Sequence, residues 1–125
     1  MLFDTDVLIW FLRGSERATA LIDATEERSL SVIGYMELLQ GARDKREIRA
    51  IKEFLSMADF RMVALSENIG HRASIYMEEF GLKAGMGIAD ALQAATAVEE
   101  NLTLCTANRR HYGVVSELQL NIFQP

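Results

Sequence analysis

The chain has 125 residues, half of them apolar and a quarter charged, and carries a net charge of −5 at neutral pH. That length suits one domain spanning 1–125 that buries roughly two-thirds of its unfolded surface, and it leaves no room for a second. The acidic balance argues against binding nucleic acid through basic charge alone, and the lack of any apolar run near the ~20 residues of a bilayer span, or of a signal-type segment, points to a cytoplasmic protein with no membrane partner.

The first ten residues, Met1 to Trp10, are an apolar run interrupted by the triplet Asp4-Thr5-Asp6. They read as a buried strand that stops at a carboxylate, followed by a short helix from Val7 to Leu12 that Gly14-Ser15 breaks. Ser15 is a natural N-cap for a helix from Glu16 to about Glu26. Ser29 to Ile33 alternates polar and apolar as a second strand ended by Gly34, and a helix from Tyr35 to Ala42 follows at once. Ile48, Ile51, Phe54 and Leu55 lie at helical spacing within Asp44 to Met57. A third strand over Arg61 to Leu65 leads to a helix that Ser66 opens and that runs to about Phe80. Gly81 to Gly87 has neither the spacing nor the Lys-Ser/Thr ending of a phosphate loop and reads as a connection. The alanine-rich stretch Ile88 to Glu100 is helical, Leu102 to Thr106 is a fourth strand, Ala107 to Tyr112 a polar loop, and Leu118 to Phe123 a last, edge-type strand. Strands alternating with helices define an α/β class with a mainly parallel sheet of about four to five strands flanked by helices. The single cysteine, Cys105, falls in the fourth strand as a buried residue without chemistry.

Three carboxylates stand out, each with an ordinary structural alternative. Asp4 ends the first strand, where an aspartate also caps helices well. Glu37 lies among large apolar neighbours in the first turn of the helix after strand two, where a solvated helix face is the plain reading. Asp90 lies near the start of the alanine-rich helix, where the helix dipole favours an acid. Together they fall on one edge of one parallel sheet, the edge at which ligands of such sheets gather. Clustered carboxylates raise one another's pKa unless a cation sits among them, and all-oxygen ligands suit Mg²⁺ or Mn²⁺. Such ions also offset the acidic charge and can meet phosphates. At the end of the fourth strand, Asn108 could ligate a metal or a bound water, and Thr106 could hydrogen-bond an acid or a phosphate. Arg109 and Arg110 could hold a polynucleotide backbone or simply be solvated, and His111 could contact phosphate or cap a helix.

With these residues in place, the chain resembles PIN-domain ribonucleases, most closely the small VapC-type toxins of toxin–antitoxin pairs. Asp4-Thr5-Asp6-Val7-Leu8-Ile9 resembles the first motif, Glu37-Leu38-Leu39-Gln40-Gly41-Ala42 the second, Asp90-Ala91-Leu92-Gln93-Ala94-Ala95-Thr96-Ala97 the third, and Leu102 to Asn108 with Arg110-His111-Tyr112 the fourth. The resemblance implies a three-layer PIN-like domain and Mg²⁺- or Mn²⁺-dependent hydrolysis of RNA phosphodiesters. Asp4, Glu37 and Asp90 would be the acidic metal site, with Asn108 and Thr106 completing its shell. It further implies a cognate antitoxin covering the helices between Glu16 and Met57, and a homodimer. Asn108 stands where many relatives carry aspartate, and Asp6 where Asn or Ser is frequent, which makes Asp6 a supporting charge. Two alternatives compete: a haloacid-dehalogenase-type phosphatase with Asp4 as covalent nucleophile, which lacks a downstream paired-acid motif, and an inactive PIN-like binding module.

Overall fold

The computed structural model describes residues 1–125. Five strands form one sheet in the order β3-β2-β1-β4-β5, with every neighbouring pair parallel. They are β1 (Leu2–Phe3), β2 (Ser29–Ser31), β3 (Arg61–Val63), β4 (Leu104–Thr106) and β5 (Leu120–Ile122), and β5 is the edge strand that its alternating sequence suggests. The helices are α1 (Thr5–Leu12), α2 (Glu16–Ala24), α3 (Val32–Gln40), α4 (Lys45–Met57), α5 (Glu67–Ala84), α6 (Ile88–Glu99) and α7 (Arg109–Tyr112).

Two apolar clusters cover the two faces. Because side chains alternate along a strand, Leu2 and Leu104 face a cluster with Ile69, Ala73 and Tyr76 of α5 and Ala91, Ala94 and Ala95 of α6. Phe3 and Cys105 face the other, with Val7, Leu8, Ile22, Ile51 and Leu55 from the helices of the opposite layer. Ala91, Ala94, Ala95 and Ala97 of α6 are fully buried, so this helix lies close against the sheet and brings its first turn near the strand ends.

Several boundaries differ from the sequence expectation, for local reasons. The first helix begins at Thr5 because Asp4 is its N-cap, with its carboxylate accepting the Thr5 N–H. Gly34 does not end β2: Ser31 caps α3, accepting the Gly34 N–H, and the glycine sits inside the first turn. Glu37 therefore lies in the second turn rather than the first. Helix α5 continues through Gly81 to Ala84 and stops at Gly85, whose left-handed backbone, φ 68°, suits a glycine C-cap. The segment read as a polar loop contains α7, capped by Asn108.

Candidate active site

The sheet order reverses direction at β1: later strands are added on one side as β2 and β3 and on the other as β4 and β5. Such a switch point opens a crevice at the carboxyl ends of the strands. The register pairs Phe3 with Cys105, so the next residues along, Asp4 and Thr106, face each other across that crevice. The Thr106 hydroxyl lies 2.7 Å from Asp4 Oδ2 and 3.4 Å from Asp6 Oδ2, so one hydroxyl touches both acids. Asp6 Oδ2 also accepts the Ala107 N–H at 3.0 Å. Asp4 Oδ1 accepts the Thr5 N–H at 2.8 Å and the Gln93 amide at 3.4 Å.

No lysine or arginine pairs with either acid. Burial first, and then the Asp6 charge, push the Asp4 carboxyl up to about 7 despite its hydrogen bonds to Thr106 and Thr5. Burial likewise raises Asp6, with Asp90 adding to the effect. Neutral donors hold both acids in position without neutralising them.

Glu37 reaches the same edge from α3 and accepts the Thr5 hydroxyl at 2.8 Å. Asp90, in the first turn of α6, is bound by two residues of α7: His111 Nδ1 lies 2.8 Å from Oδ2, and the Tyr112 hydroxyl donates to Oδ1 at 3.2 Å. Asn108 turns toward its own helix, its Oδ1 accepting the His111 N–H and its Nδ2 lying 3.0 Å from His111 Nδ1. His111 Nδ1 thus stands between an acceptor, the Asp90 carboxylate, and a donor, the Asn108 amide, and the imidazole tautomer decides which of the two it bonds. Burial and the Asp4 and Asp90 charges move the Tyr112 hydroxyl far above its ordinary value, which keeps it a donor. Arg109 and Arg110 are exposed at the rim.

The structure thus brings Asp4, Asp6 and Thr106 into direct contact and sets Glu37, Asp90 and Asn108 around them, each with its own partner. As the side chains lie, no three His, Cys, Asp or Glu groups stand close enough to hold one ion. The Asp4–Asp6 pair nevertheless fits a hard divalent cation. Its donors are all oxygen, its charge is uncompensated, and Asp6 Oδ1 is a buried oxygen with no hydrogen-bond partner. Mg²⁺ is commonly held by one or two carboxylates with water and phosphate filling the remaining positions, so two acids suffice. Sequence reasoning gave Asp6 a supporting place and passed over Thr5, Ser31, Gln93 and Tyr112. Only the polar character of Gln93 in an alanine-rich helix hinted at a buried role.

A parallel three-layer α/β domain with an acid cluster at its topological switch is the class of α/β protein that carries its site at the carboxyl ends of its strands. The model of the PIN-domain family matches residues 1–116, and the chain belongs to that family. It is 34% identical to the protein named ribonuclease VapC10 of Mycobacterium tuberculosis, over 95% of this chain and 90% of that protein. It is 32% identical to ribonuclease VapC19 of the same species, over 94% and 96%. Among solved structures, a toxin–antitoxin complex from Klebsiella pneumoniae superimposes with a TM-score of 0.79 at 26% identity, covering 94% of this chain and 93% of that one. The VapBC structure from Salmonella typhimurium shares the fold with a TM-score of 0.84 at 20% identity, covering 97% and 96%. No helix is long and apolar enough to cross a membrane.

Proposed function

We propose that this chain is a Mg²⁺- or Mn²⁺-dependent endoribonuclease and the toxin component of a type II toxin–antitoxin pair. The observation that carries the reading is the Asp4–Asp6 pair, a buried acid and a half-buried one without a protein cation at the switch point of the sheet. Support comes from relatives named as VapC ribonucleases over nearly the whole chain and from the likeness to a toxin–antitoxin complex.

Asp4 and Asp6 would hold the ion, with Glu37 and Asp90 as its further acidic ligands or as orienters of its waters, and with Asn108 completing the shell. The bound ion supplies water activation near neutral pH and neutralises charge that builds on the attacked phosphate. Thr106 fixes both acids from beneath. Arg109 and Arg110 hold the RNA backbone where it enters. The chain acts with a cognate antitoxin that covers the helices between Glu16 and Met57, α2, α3 and α4, where Met36 and Met57 are exposed, and it forms a homodimer. No observation favours the phosphatase alternative.

The test is cleavage of single-stranded RNA with and without a chelator. Cleavage stops on chelation and returns with Mn²⁺, and Asp4→Asn lowers it at least about a hundredfold, the scale of losing a principal electrostatic element of a site. Cleavage that survives chelation, or full activity in Asp4→Asn, overturns the reading.

A further inference from the structure

Gln93 is fully buried on α6, and an unbonded amide there would be destabilising. Its partners form a directed chain through the middle of the domain. The Gly34 backbone N–H donates to Ser31 Oγ at 3.1 Å, and the Ser31 hydroxyl donates to Gln93 Oε1 at 3.0 Å. Gln93 Nε2 then donates to Asp4 Oδ1 at 3.4 Å. The direction is fixed at the Asp4 end, where an ionised carboxylate can only accept and so takes the amide Nε2, leaving Oε1 to accept the Ser31 hydroxyl. Reversing the amide would set its oxygen against the Asp4 carboxylate. The backbone here is fitted to the amide: a Cβ at Gly34 would come within 3.0 Å of Gln93 Nε2 and 3.4 Å of Thr5 Oγ1. The glycine thus leaves room for the amide that reaches the acid.

The chain decides which oxygen of Asp4 is available. Each carboxylate oxygen accepts about two hydrogen bonds. Oδ1 receives two, from the Thr5 N–H and Gln93, whereas Oδ2 receives one, from Thr106. We propose that Gln93 is a positioning residue that saturates Asp4 Oδ1 and so makes Oδ2 the single oxygen that Asp4 offers to a divalent cation. At 3.4 Å the Gln93 bond is long, and its effect is directional: it holds the carboxylate plane from a third side, where Thr5 and Thr106 alone would leave it free to tilt. It also ties three elements, β2, α6 and the end of β1, to one carboxylate. Outer partners of this kind commonly change metal affinity by about 10–100-fold when removed.

The proposal rests on Asp4 as a metal-binding acid, and the experiment separates the two. Gln93→Met keeps an unbranched side chain of similar length while removing both amide bonds. Mn²⁺ alone is titrated into the wild-type chain and the variant, following the rise in melting temperature that binding to the folded state produces. The half-saturating Mn²⁺ concentration rises about tenfold in Gln93→Met. In RNA cleavage kcat at fixed, subsaturating Mn²⁺ falls, while KM for RNA stays within about twofold. Ser31→Ala, which leaves the amide in place but removes the hydroxyl that donates to it, gives a smaller rise in the same sense and serves if Gln93→Met does not fold. A half-saturation unchanged within about twofold in the folded variant makes Gln93 a packing residue and overturns the proposal alone. A wild-type chain that cleaves RNA but gains no stability from Mn²⁺ overturns the Asp4 metal site, and this proposal with it.

Discussion

Two polar clusters in this domain treat their acids in opposite ways. Between α5, α6 and the segment before β5, Arg72 donates to Glu99 at 3.1 Å and to Glu117 at 2.8 Å, and the Tyr76 hydroxyl also donates to Glu117. There the hydrogen bond from Tyr76 and the nearby guanidinium hold the Glu117 carboxyl below its ordinary value. At the β1–β4 switch point, hydroxyls, amides and backbone N–H groups hold Asp4 and Asp6 with no cation among them, and both carboxyls are raised. The first cluster is electrostatically complete and carries structure. The second is short of positive charge: neither acid has a cation beside it, and Asp6 Oδ1 has no hydrogen-bond partner.

The largest consequence is a stability penalty that the unloaded protein carries at neutral pH. The Asp4 carboxyl goes from 3.8 to about 7 on folding, so between about pH 4 and 7 the folded chain keeps a proton that the unfolded chain has released. The contribution of this group to stability therefore falls as pH rises through that window and levels off above about 7. A shift of this size corresponds to a few kcal/mol, or on the order of ten degrees in melting temperature for a domain of this length. In chelator, Asp4→Asn melts higher than wild type at pH 7.5, and the difference shrinks as pH is lowered toward about 4. Saturating Mn²⁺ narrows the gap at pH 7.5 by stabilising wild type alone. If Asp4→Asn is less stable than wild type at every pH, the acids are compensated from within and the contrast with the Arg72 cluster disappears.

The unevenness of what the sequence disclosed follows the same division. Alternation of short apolar runs with amphipathic stretches was enough for the parallel α/β architecture, because burial on both faces of a parallel sheet leaves a pattern in the residues themselves. Asp4 and Asp90 were legible because strand ends and helix starts are positions that sequence punctuation marks. The coupling of Asp6 to Asp4 was not, since it depends on Thr106 arriving from a strand 100 residues later. Gln93 and Ser31 were hidden for a similar reason: neither spacing nor residue type marks a buried polar pair, and only the approach of α6 to β2 shows what each meets. The α7 helix was missed because a four-residue turn held by the Asn108 cap has no periodicity to detect.

Arg109 and Arg110 offer a second way to break the contrast. They are the cations of α7, next to Asn108, yet neither makes an ion pair. If they belong to the RNA and not to the acids, Arg109→Ala with Arg110→Ala leaves the pH dependence of melting in chelator as in wild type. RNA affinity then falls, and the log–log salt slope of binding decreases by about 0.7 for each phosphate that an arginine no longer neutralises. A flattened pH dependence in this double variant would mean that an arginine swings in to neutralise Asp4 and Asp6. An unchanged salt slope would remove both residues from the RNA path.

The smallest effect tests the completed cluster. Glu117 is about half exposed and Arg72 about a third, their side chains retaining 47% and 32% of their accessible surface. An ion pair this open to solvent is worth less than about 1 kcal/mol. Glu117→Gln keeps an oxygen to accept from Tyr76 and removes only the charge that faces Arg72. Because the folded carboxyl lies below its unfolded value, its stabilisation is present above the unfolded pKa and is lost as pH falls through the folded one. The deficit of Glu117→Gln is therefore at most a few degrees at pH 7 and vanishes in acid, the reverse of the pH profile of Asp4→Asn. Mn²⁺ half-saturation and RNA cleavage stay at wild-type values, since the charge removed here already has its partner within the protein.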